Sequence, residues 1–196
     1  MLEKDKFLKK TSKIIIFVII FSNSIAAQNI GTKLINYNNN LKNTSSLFIQ
    51  SNGQSIEEGV IYFGLNRIKI DYNKPTKITI ILSENKGVYI NHELQETQYF
   101  NTNKSYVRFF FKIFNKNKID EKSNIEVSKK IIELKESFTI DDNFFEIKII
   151  YENKPIKLRK IIIMENNEGF EMGFFDHNSI INLDQKFFSM ADPYLN

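Results

Sequence analysis

Between Gly59 and Pro75 the chain reads Gly59-Val-Ile-Tyr-Phe-Gly-Leu-Asn-Arg-Ile-Lys-Ile-Asp-Tyr-Asn-Lys-Pro75, and its second half alternates without a slip. Ile68, Ile70 and Tyr72 fall on one side, Arg67, Lys69 and Asp71 on the other. A period of two with β-branched and aromatic residues on one side is the pattern of a half-buried strand. The break at Gly64-Leu-Asn66 divides the stretch into two strands. Pro75, with no N–H to give a ladder, ends the second. Strands are expected again over Lys77–Ser83, Gly87–Asn91 and Gln95–Asn101, with a turn at Glu84-Asn-Lys86. The result is a meander with one apolar face, and that face has to cover something.

The first 27 residues read as an address. Lys4, Lys6, Lys9, Lys10 and Lys13 stand against Glu3 and Asp5, then Ile14–Phe21 is an uncharged apolar run, and Ser22-Asn-Ser-Ile-Ala-Ala27 ends in small residues. A basic start, a short apolar centre and a small-residue exit make a secretory signal peptide, with cleavage after Ala26 or Ala27. The apolar run is well short of the roughly 20 residues of a spanning helix. Formal charge follows from this. The chain is +4 overall, and its first 13 residues carry five Lys and two acids, or +3, so about +1 is left after cleavage. So balanced a chain shows no basic stripe for nucleic acid. Residues 28–196 are expected to form a single domain. With no cysteine in the sequence, its stability rests on its core alone.

Residues 30–41 space Leu34, Ile35 and Leu41 as a first helix, and Ser46–Ser51 reads as a strand turning at Asn52-Gly53 into Ser55–Phe63. At Ser105–Phe114 the period changes. Val107, Phe110, Phe111 and Phe114 make one helical stripe with Tyr106, Phe109 and Ile113 beside it, so the helix is apolar around most of its circumference. After a polar loop at Asn115–Asn124, strands are expected over Lys130–Glu136, Phe144–Tyr151, Ile156–Met164 and Gly169–Phe175, with turns that include Asp176-His-Asn178. Short strands joined by local turns imply an antiparallel sheet.

Little in the sequence offers catalysis. His92 and His177 both sit beside Asn at expected turns, with no acids at ligand spacing and no cysteine. No nucleophile elbow, phosphate loop or zinc motif occurs. Glu57-Glu58 and Asp141-Asp142 are neighbours, which face opposite sides of a strand and so do not form a dyad. No enzyme activity, metal or cofactor is expected. What the chain has in excess is apolar surface: 18 Phe and 8 Tyr, with several Phe gathered at 109–114. An ordinary core would account for this. So would a lidded cavity for an apolar ligand.

The order of short motifs resembles the LolA family, the periplasmic outer-membrane lipoprotein carriers of Gram-negative bacteria. The resemblance rests on Leu47-Phe-Ile-Gln50, Gly59-Val-Ile-Tyr62, Arg67 through Pro75, Ser83-Glu-Asn-Lys86 and the closing Leu183-Asp-Gln-Lys-Phe-Phe-Ser-Met-Ala-Asp-Pro193. It implies a mainly β fold with α (α+β), an unclosed antiparallel β-barrel with a helical lid over a hydrophobic cavity. Acyl chains would then be bound by Phe48, Tyr62, Ile68, Ile70, Tyr72, Ile80, Leu82, Val88 and Ile90, under a lid carrying Val107, Phe109, Phe110, Phe111 and Phe114. The implied partners are acylated lipoproteins, an inner-membrane lipoprotein-releasing ABC transporter of the LolCDE kind and an outer-membrane acceptor of the LolB kind, served by a monomer. Three positions depart from the family pattern. Gly64-Leu65 replaces an Arg-Pro whose arginine ties lid to barrel, Asn85 stands at a turn glycine, and Asn91 replaces a frequent Tyr. A secreted β-domain that docks a partner through its Phe-rich helix, or a periplasmic binder of another lipid, would also fit the residues.

Overall fold

A computed structural model describes residues 30–114, 119, 123–166, 168–180 and 184–195. The expected signal peptide therefore lies outside the described residues, as does most of the loop at 115–122. The chain divides between Leu34 and Ile35 into two compact units. Helix α1 covers 30–40, and all other elements belong to the larger unit.

That unit is mainly β, with eleven strands in one antiparallel sheet. Six form the first meander: β1 (Thr44–Ser51), β2 (Ile56–Phe63), β3 (Ile68–Lys74), β4 (Ile78–Leu82), β5 (Gly87–Asn91) and β6 (Glu96–Phe100). A 3₁₀ turn at Thr102–Lys104 leads into helix α2 (Val107–Phe114). The second meander is β7 (Asn124–Val127), β8 (Ile131–Ile140), β9 (Asn143–Asn153), β10 (Ile156–Glu165) and β11 (Glu168–Ser179), followed by a 3₁₀ turn at Gln185–Phe188. The spatial order is β6-β5-β4-β3-β2-β1-β11-β10-β9-β8-β7, so the first strand and the last join the two meanders and the sheet does not close.

The local chemistry follows the turns. Gly53 takes a positive φ of 85°, and the Asn52 side-chain oxygen accepts from the N–H groups of Gln54 and Ser55 at 2.9 and 2.8 Å. This secures the β1–β2 hairpin. Asn91, where the family favours Tyr, accepts from Glu93 and Leu94 N–H groups at 3.0 and 3.1 Å and so forms the turn after β5. Asn85 is not among the residues with positive φ, so it needs no glycine-like freedom.

One face of the sheet is largely apolar through its central strands. A single register row runs Gln50, Met172, Ile161, Ile149 and Leu134 across β1, β11, β10, β9 and β8. Helix α2 lies on this face. Phe114 meets Phe63 of β2 with ring centroids 5.5 Å apart, and Phe109 stacks on Phe138 of β8 at 6.0 Å. On a flat sheet β2 and β8, five steps apart, would be separated by about 24 Å. A helix with its side chains is only about 10–12 Å across. For one short helix to touch both, the sheet must curl around it.

Two elements differ from expectation. Asn124–Val127, expected to be the end of a loop and then unassigned, is a strand. Asp176-His-Asn178 is not a turn but part of β11, where the register against β1 slips between Ser45 and Leu47 and Asp176 takes a φ of 49°. The slip is a bulge. It directs the His177 Nε2–H to the carbonyl of Leu158, 2.9 Å away.

Candidate functional site

Between α2 and the inner face of the first meander is a cavity of about 190 Å³. Ile70, Tyr72, Ile80 and Leu82 form its floor, with Ile61 beside them from β2. Registers Ile61↔Ile70 and Ile70↔Ile80 place these side chains in one row, so the floor follows directly from the alternation in β3. Val107 and Phe110 supply the roof from α2, with Ser105 and Tyr106 just before it. Phe100, Phe170 and Met172 complete the wall. Those three carry no local signal. Phe170 and Met172 come from β11, about a hundred residues further along the chain, and reach the cavity only because β11 pairs with β1.

The polar groups at the cavity are held in a short chain. The Tyr72 hydroxyl donates to the Gln50 side-chain carbonyl at 3.0 Å, and the Gln50 amide donates to Glu57 at 2.7 Å. Burial pushes the phenols of Tyr72 and Tyr106 up from their ordinary value, Tyr72 far up, so both are neutral at any physiological pH. The site therefore offers apolar surface and neutral hydroxyls. Among the described residues no group of three or more His, Asp or Glu side chains converges as a metal site.

Nine floor residues were expected. Ile70, Tyr72, Ile80 and Leu82 line the cavity, and Ile68 and Phe48 are buried on the same face beside it. The other three need correction: Tyr62, Val88 and Ile90 lie on the opposite face. The registers Tyr62↔Lys69, Ile81↔Val88 and Thr79↔Ile90 fix this, since directly paired residues share a face. These three are covered there by the C-terminal segment. Ile81, Val88, Ile90 and Phe188 form a second core, with Tyr62, Phe187, Met190 and Tyr194 packed against it. Of the lid residues, Val107 and Phe110 face the cavity, whereas Phe109, Phe111 and Phe114 are buried against neighbouring structure.

The C-terminal segment also bears on Gly64, a departure from the family pattern, and on Arg67. A Cβ on Gly64 would sit 2.7 Å from the Phe188 ring. The Arg67 guanidinium donates to the Phe188 carbonyl. Both contacts are therefore with the C-terminal segment. Helix α2 is tied by Lys112, whose Nζ is 3.0 Å from Glu136 of β8, with side chains only 24% and 12% exposed. Ser123 donates to the other Glu136 oxygen at 2.8 Å. His92, expected as a plain turn residue, lies 2.9 Å from the Thr79 hydroxyl and 2.8 Å from that of Tyr194, joining β4 to the C-terminus.

No protein-family model matches this sequence, and no curated protein matches it. Among solved structures the likeness is one of fold. An uncharacterised conserved protein from Thermus thermophilus superposes with a TM-score of 0.52 at 7% identity, covering 83% of this chain and 92% of that one. MucB, solved in complex with MucA(peri), gives 0.43 at 6% identity over 82% of this chain and 58% of its own. LprF from Mycobacterium bovis gives 0.39 at 9% identity over 81% and 96%. Identities this low speak to fold alone, and of the three only the Thermus protein superposes closely enough to support even that.

Proposed function

We propose that this chain is a non-enzymatic carrier of acyl chains, exported to the periplasm on its N-terminal leader. Its cargo would be the lipid anchor of lipoproteins passing from an inner-membrane exporter to an outer-membrane acceptor. The observation that carries this reading is the apolar cavity under a short helix. The order of LolA-like motifs along the chain supplies the choice of cargo. Each CH₂ withdrawn from water is worth about 0.8 kcal/mol, so an acylated protein needs shelter to cross an aqueous compartment. The cavity of about 190 Å³ is below the roughly 300–1,000 Å³ of a filled ligand pocket, so loading requires α2 to lift. That fits carriage, where uptake and release must both be easy. A helix docking a partner protein is less well supported, because Val107, Phe109, Phe111, Ile113 and Phe114 are all turned inward and buried.

Ile70 tests the reading. It lies mid-floor and is only half buried, so a carboxylate there reaches water when the helix opens. Ile70→Glu is expected to lower binding of a fluorescent fatty-acyl probe at least tenfold while leaving a cooperative melt. Wild-type probe binding in the variant would overturn the site. The cargo is tested separately, by whether the purified protein releases a triacylated lipoprotein from inner-membrane vesicles.

A further inference from the structure

On the opposite side of the sheet from the acyl cavity, the β2–β3 turn and the C-terminal segment enclose a pocket of about 600 Å³. Arg67 and Lys186 line it, together with Asn43, Asn66 and Ser189. Among the described residues none lining it is acidic, and neither cation is in an ion pair. Arg67 is half buried, and its bond to the Phe188 carbonyl fixes the guanidinium while leaving further N–H groups to donate. Asn43 is held by its backbone, accepting from Ile180 N–H at 2.8 Å and donating to Phe63. Its side-chain amide, like that of Asn66, has no partner among the described residues. Five donor-bearing side chains with two net positive charges thus meet in a concave site with apolar walls at Phe188 and Met190, which concentrates the field of the charges. A planar arginine fork beside a lysine point charge suits phosphoryl oxygens. Leu65, 63% exposed at the tip of the same turn, places an apolar side chain next to this charge.

We propose that this pocket is an anion site for a phosphoryl group, and that the exposed leucine beside it suits the headgroup of an anionic phospholipid. The site lies apart from the cavity, so it stands or falls independently of the carrier reading. Inorganic phosphate and glycerol 3-phosphate are expected to shift the side-chain amide NMR signals of Asn43 and Asn66 saturably. Lys186→Gln should weaken this roughly tenfold, the loss of one charge-assisted partner. Lys77→Gln, an exposed cation elsewhere, should not. Phosphatidylglycerol vesicles should co-sediment the protein in a Lys186-dependent way and phosphatidylcholine vesicles should not. Phosphate binding without vesicle binding keeps the site and assigns it to a soluble phosphate ester. If the Asn43 and Asn66 signals do not move, or Lys186→Gln behaves as wild type with both probes, the site is wrong.

Discussion

Gly64 shows how much a single residue can owe to a distant one. Its N–H donates to the Arg67 carbonyl at 2.8 Å to close the β2–β3 turn. A methyl there would press on the Phe188 ring at 2.7 Å and on the Arg67 carbonyl at 2.9 Å. The ring belongs to a packed cluster and the carbonyl to the backbone, so neither yields freely. Gly64→Ala is therefore expected to cost about 1–3 kcal/mol, as overpacking does. Most of that cost should disappear when Phe188→Ala is combined with it, which a double-mutant cycle on urea melts would measure. Additive costs would mean the ring is not what excludes the side chain. In the sequence Gly64 stands as a departure from a family pattern and Arg67 as part of a strand that matches it, and what joins them is not visible there, because Phe188, which meets both, is 121 positions beyond Arg67. Asn91 was closer to legible, since an Asn at a strand end is a local turn former.

Among the elements, α2 is the one that cannot stand alone. Eight residues are too few for a stable isolated helix, so α2 exists by virtue of what it touches. Its contacts include the rings of Phe63 and Phe138 and the half-buried pair of Lys112 with Glu136. By contrast, β3 is hydrogen-bonded on both sides, to β2 and β4. Amides of Val107–Phe114 are expected to exchange faster than those of Ile68–Tyr72, as lids are drawn from the less stable parts of a fold. Glu136→Gln removes the charge that holds Lys112, and should speed exchange in α2 roughly tenfold, about 1.4 kcal/mol, with β3 unchanged. Equal protection in both elements would make α2 ordinary core. Strands and the helix were legible from their periods, because each period depends on near neighbours only. The phase between strands was not. In β5 both faces are covered, one by the cavity side and one by the C-terminal segment, so its alternation carries no record of which is which. Register against β4 decides it, putting Tyr89 rather than Val88 or Ile90 on the side of Ile80.

At the scale of the larger unit, the pairing of β1 with β11 makes one sheet of two meanders, and each meander contains a buried phenol. Tyr72 of β3 donates to Gln50, and Tyr151 of β9, fully buried, donates to Asn38 at 3.3 Å. Burial raises both pKa values far above that of a free tyrosine, and it raises Tyr37, Tyr62 and Tyr106 in the same direction. A raised folded-state pKa means the native protein keeps protons that the unfolded chain gives up. The associated stability is complete below the ordinary tyrosine pKa near 10 and is lost as pH rises above it. Each fully protected phenol contributes a slope of about 1.4 kcal/mol per pH unit. If the joined sheet unfolds as one, Tyr72 and Tyr151 act together and by themselves bring the slope between about pH 10.5 and 12 to at least roughly 2.7 kcal/mol per unit, with Tyr37, Tyr62 and Tyr106 adding in the same direction. Urea melts across that range should show it, with Tyr72→Phe reducing the slope by about 1.4 kcal/mol per unit and Tyr151→Phe by the same amount. A sheet that came apart at the β1–β11 seam would instead give two transitions, each losing stability at the slope of its own tyrosine. One transition with the summed slope is expected, because rows such as Gln50–Met172–Ile161–Ile149–Leu134 pair strand to strand across the seam.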